Sequence, residues 1–219
     1  MGSTAMSGLG LYTQDMLRGA VLTLELTAGG TVVSLLAGAV AAVGRMYGPK
    51  PLRALIVSYV ELVRGLPAIL QLFVLYFGLT QFGIDLSSLT AAFIWMCFYG
   101  TGYAIEIFRA GLSAIPEGQH EAASALGFGP ITSFRRVIVP QAFTLMLPPL
   151  TNFVVLELKN TTLVYFIGVH EIMFQARLGA GNSGNPLGVY LVAAGIYVVV
   201  NVALGRAGAF LEHRAAAAH

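Results

Sequence analysis

The side chains best suited to chemistry in this chain crowd into one short stretch, NFVVLELKNT, from Asn152 to Thr161. Asn152 can donate and accept hydrogen bonds, Glu157 accepts them with a negative charge, Lys159 donates them with a positive charge, and Thr161 does both through a hydroxyl. The surrounding sequence is apolar, and polar groups in such surroundings are costly enough to be functional candidates. On an unbroken helix Asn152 and Lys159 share nearly one face, while Glu157 lies about 140° away from Asn152 and shares a face with Thr161. Glu157 and Lys159 therefore cannot both face one narrow passage. The chemistry on offer is non-covalent: a carboxylate to hold a cation, with hydrogen bonds to orient the rest. The competing reading leaves Glu157 at an outer interface, reaching water or paired with Lys159.

Other polar side chains are sparser. Gln71 lies deep in an apolar run. Trp95, Tyr99, Tyr103 and Glu106 step by four, four and three and so share one helix face. They read either as a polar-aromatic wall along a passage or as a packing stripe whose Glu106 pairs with Arg109 or Arg64, and the second reading is favoured. Glu61 and Arg64 are expected to form an interfacial ion pair. Lys159, Glu171 and Arg177 read as a solvated outer segment that could also meet a partner protein. His120, His170, His213 and His219 have no metal-ligand spacing, and Cys97 stands alone, so neither a metal site nor a disulfide framework is predicted. No G-x-x-x-x-G-K-[ST] phosphate loop is present, which argues against nucleotide hydrolysis by this chain.

These residues must be positioned by helices in a membrane. Hydrophobic residues make up 57% of the chain and charged residues only 10%, against about 25% charged in soluble domains, and the mean hydropathy is +0.78. Five windows approach the roughly 20 apolar residues that cross a bilayer. Window 19–44 holds one charge, Glu25, while 65–83, 86–105, 137–156 and 186–205 hold none. With their flanks they define spans at about 19–44, 60–83, 86–109, 134–160 and 186–211 in a single domain covering 1–219. The run TTLVYFIGV reads as a continued helix or an interfacial turn. Gly29, Gly30, Gly38 and Gly44 would let the first span approach a neighbour closely. No cleavable signal peptide is predicted, and the closing AAAAH reads as a frayed tail.

Basic residues orient the spans. Placing the 45–54 connection, the 106–136 connection and the C-terminus in the cytoplasm puts eight of the twelve Lys and Arg residues there. The fold class is therefore all-α integral membrane, with the N-terminus outside and the C-terminus in the cytoplasm. The 113–133 loop is then cytoplasmic and carries a short helix. Pro116 suits its first turn with Ser113 as cap, Glu121 to Leu126 favours helix, and Gly127 suits the position just past its end.

The stretch IPEGQHEAASALGFGPITSFRRVIVPQA, with YAIEIFRAGLSAIPEGQ, VELVRGLPAILQLFVLYFG and LELKNTTLVYFIGVHEI, resembles the EAA-loop permease subunits of bacterial ABC importers, in their polar amino acid branch. Glu121, Ala122, Ala123, Gly127 and Pro140 carry the loop pattern. The resemblance implies that Glu117, Glu121, Ala122, Ala123, Leu126 and Gly127 form a coupling helix that docks on a separate ATP-binding subunit. Two such subunits, holding the ATP and Mg, would drive the transporter, and this chain would bind no cofactor itself. It further implies a second permease chain, identical or a sister, and an extracytoplasmic substrate-binding protein, in the bacterial cytoplasmic membrane and without nucleic acid. A zwitterionic amino acid would offer an ammonium to Glu157, and the polar residues themselves make Gln71, Tyr99, Asn152, Glu157, Lys159 and Thr161 the candidate lining of a substrate pathway. Glu157 departs from the family pattern, in which an apolar residue commonly precedes the Leu-Lys pair. An ion-coupled secondary transporter and a non-transporting membrane subunit are the alternatives.

Overall fold

The computed structural model describes residues 2–216, and among them there is no strand. His219 and the end of the expected frayed tail lie outside the described residues. Helix α1, Gly2–Tyr47, is a single rod of 46 residues, about 69 Å at 1.5 Å per residue. Its apolar part, Tyr12–Tyr47, extends well beyond the expected 19–44 window at its N-terminal side, because nothing in GLYTQDMLR breaks a helix.

The second expected span, 60–83, is not one rod. Helix α2, Lys50–Gly65, and helix α3, Ala68–Phe73, which runs on through a π turn at Val74–Gly78, meet at 110°. Pro67 explains the break. It disfavours helical backbone at the residue before it, and Leu66 is extended at φ −103°, ψ 142°. Pro67 also lacks the N–H that would bond the Val63 carbonyl. The Gln71 amide nitrogen supplies the missing donor, bonding Val63 O at 2.8 Å and Leu66 O at 2.9 Å. Replacing Gln71 by leucine strands both carbonyls, so the expected loss is about 1–3 kcal/mol of stability, read as a lower unfolding temperature of the purified protein.

Helix α4, Ser88–Ser113, starts at a cap in which Ser87 Oγ accepts the Thr90 N–H at 3.2 Å. Ser113 ends this helix and, contrary to the expectation, does not cap the next one, whose N-cap is Pro116. Helix α5 is Glu117–Ala125, with Pro116 just before its first turn. A short helix α6, Pro130–Ser133, a π turn at Phe134–Ile138, helix α7, Val139–Asn160, and a 3₁₀ segment, Thr161–Ile167, follow one another as one apolar rod. The TTLVYFI run is thus a continued helix, ended by Gly168 at φ 88°. Helix α8, Ile172–Asn182, was not foreseen, being too short and too mixed to register as a span. Helix α9, Pro186–Ala216, is the last long rod. Among the described residues four helices are each long and apolar enough to cross a membrane, and the bent α2–α3 pair makes a fifth crossing if counted as one span.

The centre of the bundle is the seam between α1 and α4. A Cβ on Gly38 would lie 2.5 Å from the Ala104 Cβ, and one on Gly29 would lie 2.9 Å from the Phe93 ring. Gly38 thus lets the two backbones meet, while Gly29 and Gly30 leave room for the Phe93 and Met96 side chains, and Gly44 faces Ile56 and Leu52 of α2. Trp95, Tyr99, Leu26, Val63 and Leu72 fill the adjoining core.

Candidate functional site

Three places hold the functional candidates: the short helix α5, the polar seam between α1, α4 and α7, and the charged cluster where α1 and α4 end.

Helix α5 hangs between two apolar rods and ends in a Schellman turn. Gly127 N–H bonds the Ser124 carbonyl at 2.9 Å and Phe128 N–H bonds the Ala123 carbonyl at 3.0 Å, with Gly127 in the left-handed region at φ 79°. Glu117 lies in the first turn, where the helix dipole favours negative charge. Ala123 alone of the coupling candidates is turned inward, 2% exposed, whereas Leu126 is 75% exposed and Glu117, Glu121, Ala122 and Gly127 are exposed as well. An apolar side chain so open on a rigid, short helix offers a docking knob. Gln119 accepts a bond from Gln141 at 3.1 Å, fastening α5 to α7.

The NFVVLELKNT stretch divides as helical geometry requires. Asn152 and Lys159 are exposed on one side. Glu157 and Thr161 are 0% exposed. Thr161 Oγ1 donates to the Leu158 carbonyl at 2.7 Å. Glu157 lies inside the seam and not at an outer interface paired with Lys159. A Cβ on Gly100 would be 3.2 Å from its Oε1 and a Cβ on Gly30 would be 3.7 Å from its Oε2. Among the described residues no group meets either oxygen with hydrogen-bond geometry, although the Asn160 side chain lies close beside them. The carboxylate's polar surroundings are Asn160 and Cys97, with Ser34, whose hydroxyl bonds the Cys97 carbonyl at 3.3 Å, on the facing helix. A Cβ at position 100 would crowd this carboxylate, whereas one at position 30 would stand in ordinary contact with it.

Tyr99 donates to Tyr103 Oη at 3.0 Å, and its ring centroid is 5.6 Å from Trp95 and 4.9 Å from Tyr103. The aromatic stripe is therefore packed, as the favoured reading held, with Tyr103 the more open member. Gln71 is 7% exposed and has its nitrogen committed to the α2–α3 break.

At the end of the bundle, Glu106 pairs with Arg45 of α1 and with Arg109, 3.0 Å from Nη2. Arg45 is a partner that helix spacing could not reveal, since it sits 61 residues away in the chain. The expected Glu61–Arg64 ion pair is absent among the described residues. Nor is Glu171 a solvated residue. It is 0% exposed, caps α8 by accepting the Phe174 N–H at 2.8 Å, and accepts the Tyr197 hydroxyl at 2.8 Å. Burial pushes its carboxyl above the usual range, opposed by the Met173 and Phe174 N–H groups and by Tyr197. No cluster that could hold a metal ion occurs among the described residues.

The chain matches the family described as binding-protein-dependent transport system inner membrane components over residues 34–217. It is 33% identical over 181 residues to the probable glutamine ABC transporter permease protein GlnM of Bacillus subtilis, covering 83% of this chain and 84% of that one. It is 32% identical over 197 residues to the L-cystine transport system permease protein TcyB of the same organism, covering 90% and 84%. Its fold superposes on an amino acid ABC transporter crystallised with histidines, with a TM-score of 0.88 and 33% identity over 93% of this chain and 95% of that one. The inward-facing MetNI methionine ABC transporter shares the fold at a TM-score of 0.71 and 20% identity, over 98% and 99% of the two chains.

Proposed function

The chain belongs to the binding-protein-dependent transport system inner membrane components, and from that premise we infer that it works as the permease subunit of an inner-membrane ABC importer for amino acids or related small zwitterions. The observation that carries the coupling part of this reading is α5, a nine-residue helix held between membrane rods with Leu126 open at its end. Glu117, Glu121, Ala122, Ala123, Leu126 and Gly127 form the element that docks on one of two separate ATP-binding subunits, which hold the ATP and Mg. Docking lets closure of those subunits move α4 and α7, the rods that flank α5. The end carrying α5 faces the cytoplasm, and a binding protein delivers substrate to the opposite side. A second permease chain completes the pathway.

Within the pathway, exposed Asn152 and Lys159 are the first to meet substrate, with the carboxylate end directed to Lys159. Glu157 receives the ammonium when the α1–α4–α7 seam opens, with Gln71, Tyr99 and Thr161 shaping the route. A buried carboxylate is costly unless paired and hydrogen-bonded, so a cationic group that reaches it gains a strong, charge-assisted contact.

The test is uptake by vesicles carrying the permease, its ATP-binding subunits and its binding protein. ATP-dependent uptake of a labelled amino acid is expected, and none from an ion gradient alone; uptake driven by a gradient without ATP would replace the reading with a secondary transporter. Glu157→Gln is expected to lower uptake about tenfold or more, for loss of one charge-assisted contact, while assembly and basal ATP hydrolysis stay intact. Normal uptake by that variant would remove Glu157 from the pathway.

A further inference from the structure

Glu61 and Arg64 stand one turn apart on α2, within reach of one another, yet neither makes an ion pair or hydrogen bond among the described residues. Both are exposed, and both line a recess of about 450 Å³ with Arg45, Glu106, Val57 and Val60. That size falls within the roughly 300–1,000 Å³ of small-molecule sites. The far side of the recess is already neutralised, because Arg45 is held by Glu106. What remains is one free carboxylate and one free guanidinium, one turn apart on α2 at the end of a membrane bundle. Free charges at such a place face water or a ligand, because facing lipid is too costly.

Four ionic side chains line the recess, two of each sign. An anion would meet Glu61 and Glu106, and a cation would meet Arg45 and Arg64. A net-neutral zwitterion, with its ammonium and carboxylate close together, matches the free pair without leaving a charge unmatched. We propose that this recess is a zwitterion-binding site at the end of the bundle where α4 leads to α5. Arg64 takes the carboxylate through the two parallel N–H donors of its guanidinium, and Glu61 takes the ammonium. The site lies on α2, apart from the Asn152–Lys159 face of α7, and it holds substrate on the ATP-binding side of the pathway. It rests on the importer reading.

The test uses the complete transporter in vesicles with ATP in the lumen, so that the α5 end faces inward. The probe is a radiolabelled mixture of the twenty protein amino acids, supplied outside with the binding protein. Unlabelled mixture loaded in the lumen is expected to slow wild-type uptake. In Arg64→Gln and Glu61→Gln the lumenal concentration that halves uptake should rise about tenfold or more, the loss of one charge-assisted contact. The external concentration for half-maximal uptake should not move, and Arg64→Lys should recover part of the lumenal effect by restoring the charge without the bidentate geometry. Should Arg64→Gln fail to assemble, Arg64→Lys and Glu61→Gln carry the comparison. Wild-type values of lumenal inhibition in the variants that assemble would overturn the recess site and leave the importer reading standing. A wild-type transporter that takes up no labelled amino acid with ATP would overturn both.

Discussion

Replacing Gly38 by leucine is expected to prevent α1 and α4 from closing and to destabilise the whole bundle. A Cβ there already falls 2.5 Å from the Ala104 Cβ and 3.1 Å from the Ala104 carbonyl carbon and from the Ile105 nitrogen. These are backbone atoms and a side-chain stub of a packed helix, with no flexible end to swing aside. Overpacking usually costs about 1–3 kcal/mol, and this site belongs at or above the upper end. The same seam holds Gly100, where a Cβ would sit 2.4 Å from Ser34 Oγ, so a shift forced at Gly38 propagates to the place where Glu157 is lodged. The measurement is the fraction of monodisperse protein in mild detergent on heating, compared with the wild type. Gly195, where an added Cβ meets nothing within 4 Å, supplies the control: Gly195→Leu should unfold with the wild type. Equal stability of Gly38→Leu and wild type would show that the helices do not meet as closely as described.

Gly127→Val should uncouple the transporter while leaving the membrane bundle folded. Gly127 holds φ 79° at the end of α5, and a side chain in the left-handed region costs about 1–2 kcal/mol, more for a β-branched residue. The cheapest relief is to unwind the last turn of α5, which moves Leu126 out of position and breaks the Ser124 and Ala123 carbonyl bonds. Under the proposed coupling role, an α5 without its end would not seat in a partner. Co-purification of the ATP-binding subunit is expected to fall about tenfold or more, the equivalent of about 1.4 kcal/mol, with the elution profile of the permease unchanged. Gly129 separates the two effects, since its backbone is extended at φ −68°, ψ 163° and an added Cβ meets nothing within 4 Å. Gly129→Ala should keep the subunit bound. Retention of the subunit by Gly127→Val would remove α5 as the docking element.

Much of the architecture was legible because it is local. Apolar runs long enough to span, the glycine after EAASAL and the proline that follows need only their neighbours in sequence to act. The proline at position 67 was equally visible, but a run of apolar residues on both sides of it reads as continuous hydropathy. Its effect on direction was therefore missed, and with it the role of Gln71, whose amide answers for the lost N–H. Helix α8 carries no hydropathy signal, so the sequence alone suggests a solvated segment for Glu171, which is instead the buried cap of that helix.

By itself, the sequence determined that the chain is a helical membrane protein, that its apolar runs are helices, that a short helix ended by Gly127 interrupts them, and which faces Glu157 and Lys159 occupy relative to one another. All of these follow from composition, helical periodicity and backbone chemistry within a few residues. Only the tertiary structure decided which neighbour each face meets. Glu106 takes Arg45 from a helix 61 residues away, Glu157 is enclosed because Gly30 and Gly100 stand opposite it, and Glu61 and Arg64 stay apart beside a shared recess. Periodicity assigns a side chain to a direction, whereas its partner, its burial and its charge balance depend on which helix packs there.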